Sequence, residues 1–279
     1  MAADHQRRDE PDRVRLGRRA DLHPVGRSAA LDGITNPRIG VFALNGGTEA
    51  PVVDAAFDSF QVTPDAPAGT VDPSDEFTGS TLDKCRWDAI TREDPTGYRV
   101  TEGALRIDVP NGDIYGTDNT GPKNFILQTA PSGDWTLETK VDGSLLNEQY
   151  QQAGLLVQAD DDNYVKFDFI ADNQAGQAVT RRIEFRSEVA GVVQNPQPEA
   201  GSLTSAVWHL RLARTGDTFT ASYSADGTTW TALTTLTNSA VGATRRSDCS
   251  PSAPPRRRRR PPRSTTSGSA RRWPTRPHR

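Results

Sequence analysis

Short runs in which apolar and polar residues alternate follow one another from about residue 75 to residue 243. They include "YRVTEGALRIDV", "WTLETKVDG", "AGLLVQA", "YVKFDFIA", "RRIEFRSEV", "WHLRLARTG" and "TFTASYSA", and Gly, Asp, Asn or Pro separates them. Alternation with a period of two is typical of half-buried strands. No segment sustains a helical period, so the pattern predicts an all-β sandwich or barrel.

Alternation also assigns side chains to faces, because neighbouring residues of a strand point in opposite directions. In "YVKFDFI" the apolar side chains belong to one face and Tyr164, Lys166 and Asp168 to the other. The same reasoning puts Glu184 and Arg186 opposite the apolar residues of "RRIEFRSEV", and puts His209 and Arg211 opposite those of "WHLRLA". The strands are therefore predicted to combine a core face with a face rich in charged and hydrogen-bonding groups. A tight turn at "SADGTTW" is predicted to pair "TFTASYS" with "TTWTAL".

Two further strand-like runs stand at the front, in "NPRIGVFALNGGTEAPVVDAAFDSFQVTP", residues 36–64. They are followed by a linker, residues 65–74. The alternating body, in contrast, stops abruptly after "TNSAVGA". Residues 36–64 therefore have the pattern expected for the end of a β-domain. Residues 75–243 have the pattern of a β-domain that lacks its last strands.

The net charge is −3, but the charged residues are distributed very unevenly along the chain. Residues 244–279 carry twelve Arg and one Asp, and residues 1–23 carry six Arg and five acids, which leaves 15 basic and 30 acidic residues between 24 and 243. A nucleic-acid-binding surface needs basic residues, so this acidic body is not expected to bind nucleic acid.

Both ends are predicted to be disordered. Residues 244–279 contain no Val, Leu, Ile, Phe or Met, and residues 1–23 have a similar character; such segments cannot bury enough apolar surface to offset the entropy of ordering. The five consecutive Arg would suit an anionic surface, and a reading-frame change is the alternative origin of these ends. Two cysteines give no disulfide framework, and no apolar run suits a bilayer span or a signal peptide.

Three stretches together resemble a known domain. "DEFTGSTLDKCRW", "QYQQAGLLVQADDDNYVKFDF" and "WHLRLARTGDTFTASYSADGTTWTAL" occur in the order found in the concanavalin A-like sandwich at the C-terminus of bacterial β-xylosidases of glycoside hydrolase family 43. The resemblance covers residues 75–243. It implies a two-sheet jelly roll that serves as an accessory module; related copies occur, sometimes in tandem, in large secreted actinobacterial proteins.

In that family the "DGTTW" hairpin is followed by strands like "RIGVFAL" and "AAFDSFQVT", and the latter lies beside the opening "DEF" strand. Here both stand at the front. The resemblance therefore implies that residues 24–64 are the last strands of a preceding copy, and that they either complete the next sandwich as a circular permutant or stay loose. An incomplete sandwich would expose sheet edge and core.

Carbohydrate binding is the function that these features favour, with a polysaccharide or oligosaccharide as partner and no membrane. Sugars are held by aromatic faces and planar polar groups in a preformed concavity. The candidate ligand-binding residues, which would otherwise form solvated cross-strand ion pairs, are Tyr150, Gln152, Tyr164, Lys166, Asp168, Glu184, Arg186, His209 and Arg211. We expect a monomer that needs no cofactor and, from the parent family, an extracellular role.

Two alternatives remain at this point. A structural or protein-docking spacer would leave the polar face without a ligand. A glycosidase would need two carboxyl groups, one of them protonated; the pairs Glu138 with Asp142 and Glu184 with Glu188 lie among basic residues that favour ionisation, so catalysis is not expected. The loops "NGDIYGTDNTGPKN" and "ADDDN" carry Asp113, Asp118, Asp160 and Asp161, which would suit a structural Ca²⁺ or merely form turns.

Overall fold

The computed structural model describes residues 37–47, 51–65, 72–117, 119–172, 179–201 and 203–241. The expectations for residues 1–23, for residues 24–36 and for the tail at 244–279 lie outside these ranges.

Strands account for nearly all regular structure in the described residues, and no α-helix occurs among them. A single 3₁₀ turn spans Ser239–Val241. The strands are β1 Arg38–Asn45, β2 Asp54–Pro64, β3 Ala89–Thr91, β4 Tyr98–Thr101, β5 Ala104–Asp108, β6 Phe125–Thr129, β7 Trp135–Asp142, β8 Gln151–Asp160, β9 Asn163–Ala171, β10 Arg181–Val189, β11 Val192–Val193, β12 Glu199–Ala200, β13 Val207–Thr215, β14 Thr218–Ser224 and β15 Thr231–Thr237.

Two antiparallel sheets pack face to face. The first sheet has the order β11-β10-β9-β8-β1-β6-β3, with β12 also paired to β10, and the second sheet has the order β15-β14-β13-β7-β2-β5-β4. Side chains from both inner faces form one apolar core between them. The predicted all-β, two-sheet sandwich is confirmed.

The predicted core faces match this arrangement. Val165, Phe167 and Phe169 of β9 are fully buried between the sheets, and Phe167 meets Phe185 of β10 edge to face with ring centroids 5.7 Å apart. Alternation works here because each of these strands has one face toward the core. Strands β14 and β15 pair across the predicted turn, where Gly227 has a φ of 72°.

The two front strands lie inside the sheets. In the first sheet β1 lies between β6 and β8, and in the second sheet β2 lies between β5 and β7. Phe60 of β2 and Asp75 exchange two backbone hydrogen bonds of 2.8 Å, so β2 also lies beside the "DEF" stretch. Residues 38–45 and 54–64 therefore supply interior strands to both sheets of the one sandwich.

Candidate functional site

Three cross-strand rows of side chains cover the outer face of the first sheet, the face turned away from the core. Strand pairing aligns Gln152 of β8, Ile170 of β9 and Arg182 of β10 in one row. The next rows are Gly154, Asp168 and Glu184, and then Leu156, Lys166 and Arg186. Regular antiparallel pairing therefore gathers residues that are far apart in sequence.

A cleft of about 370 Å³ lies over these rows. Its floor consists of strand residues that are almost fully buried: Gln152, Lys166, Ile170, Glu184 and Arg186. Its rim consists of half-buried or exposed residues, most of them from loops: Gly46, Asp113, Tyr115, Tyr150, Arg182 and Gln197. We refer to this feature as the cleft.

Lys166 organises the floor. Its side chain is 2% exposed, and its Nζ lies 3.0 Å from Glu184 Oε1 and 3.9 Å from Asp168 Oδ1. Nζ also donates a hydrogen bond to Gln152 Oε1. Burial disfavours its charge, but Asp168 and Glu184 outweigh burial and raise the pKa of Lys166, so it stays protonated.

Glu184 is shared by three basic side chains. Besides Lys166, Arg186 donates to its Oε2 at 2.8 Å and Arg182 at 3.4 Å. Burial opposes ionisation of Glu184, but Lys166 and Arg186 overcome it and hold its pKa below the usual range. The floor is thus a network of ion pairs and hydrogen bonds whose planar groups are already fixed in position.

Asp168 lies in the middle row and is fully buried. Neither of its carboxyl oxygens has a hydrogen-bond partner. Burial raises the pKa of Asp168 to about 8, although Lys166 opposes the shift. Gly154 makes room for it, since a Cβ there would lie 2.5 Å from the Asp168 Cα and 2.8 Å from its Cβ.

Tyr164 lies under a loop and is closed to solvent. Its hydroxyl donates to Glu188 Oε2 at 3.0 Å, and its ring joins a second apolar cluster with Phe42, Ile114 and Leu156. Tyr164 and Asp168, although on the predicted polar face, do not line the cleft.

Two tyrosines stand exposed at the rim. Tyr115 is 44% exposed and Tyr150 is 41% exposed. Tyr150 has a φ of 69°, which is unusual for a residue with a side chain. Its N–H donates to Ala171 O at 2.9 Å and its carbonyl accepts from Gly46 N at 3.1 Å. Strained backbone of this kind persists where the surroundings hold it, often at ligand sites.

His209 and Arg211 lie on the other side of the sandwich. Both belong to β13 in the second sheet, where Arg211 donates to Glu138 Oε1 at 2.8 Å and stacks on Trp230 at 3.6 Å from the ring centroid. A Cβ added at Gly227 would lie 3.0 Å from the imidazole of His209, and burial lowers the pKa of His209. The single polar face expected from alternation is therefore two faces on opposite sides of the molecule.

The carboxyl pairs considered for hydrolysis do not converge on the cleft. Glu138 is ion-paired on the second sheet, and Asp142 of the same strand accepts a backbone hydrogen bond from Ser144. Glu188 accepts from Tyr164 and from Gly116 N, and it does not line the cleft.

The acidic loops serve local structure in the described residues. Asp160 accepts hydrogen bonds from Asp162 N and Asn163 Nδ2, and Asp161 pairs with Arg92 at 2.8 Å. Asp118 lies outside the described residues. Within the described ranges no cluster of three or more His, Cys, Asp or Glu suits a metal ion. Over the same part of the chain, no helix has the length and hydropathy needed to span a bilayer.

The cleft thus unites five of the nine predicted residues, namely Tyr150, Gln152, Lys166, Glu184 and Arg186. Sequence reasoning missed its loop residues, Tyr115 and Gln197, as well as Arg182. Arg182 stands in the same alternating series as Glu184 and Arg186, so this signal was present. Nothing periodic marks Tyr115 or Gln197, which come from irregular segments.

Fold and cleft together define an antiparallel β-sandwich compatible with the concanavalin A-like class, with a polar cleft on one sheet. A family model described as "Protein of unknown function (DUF1349)" matches residues 93–247, which is more than half of the chain, and the chain belongs to this family. The match begins after β1, β2 and β3. No curated protein matches the chain.

Proposed function

We propose that this protein is a non-catalytic carbohydrate-binding module and that the cleft is its sugar site. The observation that carries the proposal is the combination of two exposed tyrosines at the rim with fixed, planar polar groups in the floor. Tyrosine rings offer flat apolar faces to pyranose rings, and amide, carboxylate and guanidinium groups hydrogen-bond to hydroxyls.

Preorganisation supports the same proposal. Gln152, Glu184 and Arg186 are held by Lys166 and by one another, so a sugar entering the cleft would not have to order them. A binding site that is fixed in advance loses less conformational entropy when it is occupied.

The state of the carboxyl groups favours binding over hydrolysis. A general acid needs a protonated carboxyl that reaches the substrate. Among the described carboxyl groups, burial raises the pKa of Asp168 and Glu188, and neither lines the cleft. Glu184 does line it, but its basic neighbours keep it ionised.

The setting of the module is proposed from its resemblance to the C-terminal domain of family 43 β-xylosidases. It would support a carbohydrate-active partner outside the cell, and it would act as a monomer.

Retention on polysaccharides tests the proposed function. The full chain is mixed with particles of xylan, arabinan, cellulose, chitin or starch, and the protein left in solution is measured. We expect selective depletion by one polysaccharide, reversed by the corresponding soluble oligosaccharide. A folded sample that stays in solution with every particle, and binds no soluble oligosaccharide, would contradict carbohydrate binding and favour a docking module.

A further inference from the structure

One loop covers part of the outer face of the first sheet. It follows β5 and crosses the strands, because Gly112 N donates to Asn45 O of β1 at 2.9 Å and Gly116 N donates to Glu188 Oε2 of β10 at 2.8 Å. Between these points Ile114 packs fully buried on Phe42 and Leu156. We call residues 111–116 the crossing loop.

The crossing loop forms one wall of the cleft through Asp113 and Tyr115. A second wall is the segment 197–199, which is fixed on β10: Phe185 N donates to Pro198 O at 3.0 Å, and Arg186 donates to Pro198 O at 3.0 Å. The two walls meet where the Tyr115 hydroxyl donates to Gln197 Oε1 at 3.3 Å. The cleft is therefore closed beyond the row of Lys166 and Arg186.

The opposite end of the cleft has no such contact in the described residues. There the floor ends in the row of Gln152, Ile170 and Arg182, next to the exposed ring of Tyr150. As far as the described residues go, a ligand can enter over Tyr150, whereas a continuous chain cannot pass out beneath the joined walls. The volume of about 370 Å³ is at the lower end of the range of about 300–1,000 Å³ for small-molecule sites.

The charges in the cleft further restrict the class of ligand that it can bind. Each basic side chain of the floor has an acidic partner: Lys166 and Arg186 pair with Glu184, and Arg186 also pairs with Glu199 at 3.1 Å. In the wall, Asp113 accepts a hydrogen bond from Ile114 N and helps to raise the pKa of Lys166, so it adds a further negative charge to the cleft. A carboxylate on the ligand would therefore meet cations that are already ion-paired, together with the negative charge of Asp113.

From this geometry we infer that the cleft binds the end of a glycan chain, one or two neutral sugar units deep, and does not bind internal segments. The inference rests on the proposed function, because it takes carbohydrate as the ligand. It adds that recognition is by chain end and that uronic acids are disfavoured.

Calorimetry of the full chain with xylo-, arabino-, cello-, chito- and malto-oligosaccharides of one to six units, and with uronic acid counterparts of the sugar that binds, tests this inference. For the series that binds, the molar Kd is expected to reach a plateau at two units and to change less than about twofold up to six. In titrations with equal masses of polysaccharide of different chain length, the amount of bound protein should increase with the concentration of chain ends.

Different failures have different meanings. A Kd that falls tenfold or more between two and six units, which corresponds to about 1.4 kcal/mol of added contact, would overturn end recognition and leave carbohydrate binding intact. Tighter binding of a uronic acid than of its neutral counterpart would overturn the charge argument. No detectable binding in any of the series would overturn the proposed function, and with it the inference.

Discussion

At the scale of single residues, the side chains of the cleft differ in whether they face solvent or hold other groups in place. Tyr150 is held by its backbone and presents its ring to solvent, whereas Lys166 is buried and holds other groups. Substitutions at exposed contact residues should therefore affect binding, and substitutions in the floor should also affect stability.

Tyr150→Ala should weaken glycan binding by about tenfold or more with little loss of stability. The ring offers the stacking face, and a loss of about 1.4 kcal/mol of contact corresponds to a factor of ten. Leu145→Ala is the matched control, because Leu145 belongs to the preceding turn, is 44% exposed and does not line the cleft. Calorimetry measures both variants, and equal affinities for Tyr150→Ala and Leu145→Ala would rule out a stacking role.

Asp168→Asn should flatten the pH dependence of stability. Burial raises the pKa of Asp168 from 3.8 to about 8, so between these values the folded chain holds a proton that the unfolded chain has released. Ionisation then favours unfolding, and stability falls as pH rises from about 4 to about 8, by up to about 1.4 kcal/mol per pH unit through this group.

Denaturant unfolding of wild type and Asp168→Asn at pH 5, 6.5 and 8 measures this effect. The variant is expected to gain stability relative to wild type as pH rises. Glu148→Gln, a change at an exposed carboxyl, should keep the wild-type slope. Parallel slopes for wild type and Asp168→Asn would show that this buried carboxyl does not titrate as described.

At the scale of elements, the front strands are the decisive feature. Phe57 of β2 is fully buried in the core between the sheets. Phe57→Ala should cost about 3–5 kcal/mol of the free energy of unfolding, as expected for a buried aromatic residue. Phe167→Ala in β9 should cost a similar amount, and Val52→Ala, at a side chain 68% exposed, should cost less than about 0.5 kcal/mol. An unchanged unfolding curve for Phe57→Ala would mean that β2 lies outside the sandwich.

Close approach of β8 and β9 depends on Gly154. A Cβ there would crowd the backbone of Asp168, so Gly154→Ala should destabilise the fold by about 1–3 kcal/mol. Gly201→Ala provides the control, since nothing lies within 4 Å of a Cβ at that position. Thermal melts compare the two, and similar melting temperatures would contradict the tight packing at Gly154.

Alternation predicted elements well where the two faces of a strand differ in polarity, and this includes β9, both faces of which are buried. It did not mark β6, because β6 has apolar side chains on both faces: Ile126 lies in the core, and Phe125 and Leu127 lie in the second apolar cluster on the outer face. It also could not assign His209 and Arg211 to a different sheet from Lys166. A period of two gives the face of a strand, but only long-range pairing decides which sheet the strand joins.

At the scale of the whole molecule, the sandwich has the cleft on one outer face and the stacked pair of Arg211 and Trp230 on the other. Carbohydrate is proposed to bind the first of these faces only. Loop residues that complete the cleft, such as Tyr115 and Gln197, follow no periodic pattern, so their meeting depends on the assembled fold.

The most direct test maps a bound oligosaccharide onto these two faces. Amide chemical shifts of the isotope-labelled full chain are compared with and without the oligosaccharide that binds in the retention assay. If the sugar binds in the cleft, the changes are expected to group around Tyr115, Tyr150, Gln152 and Arg186. Changes grouped instead around His209, Arg211 and Trp230, or no changes at saturating sugar, would contradict this expectation.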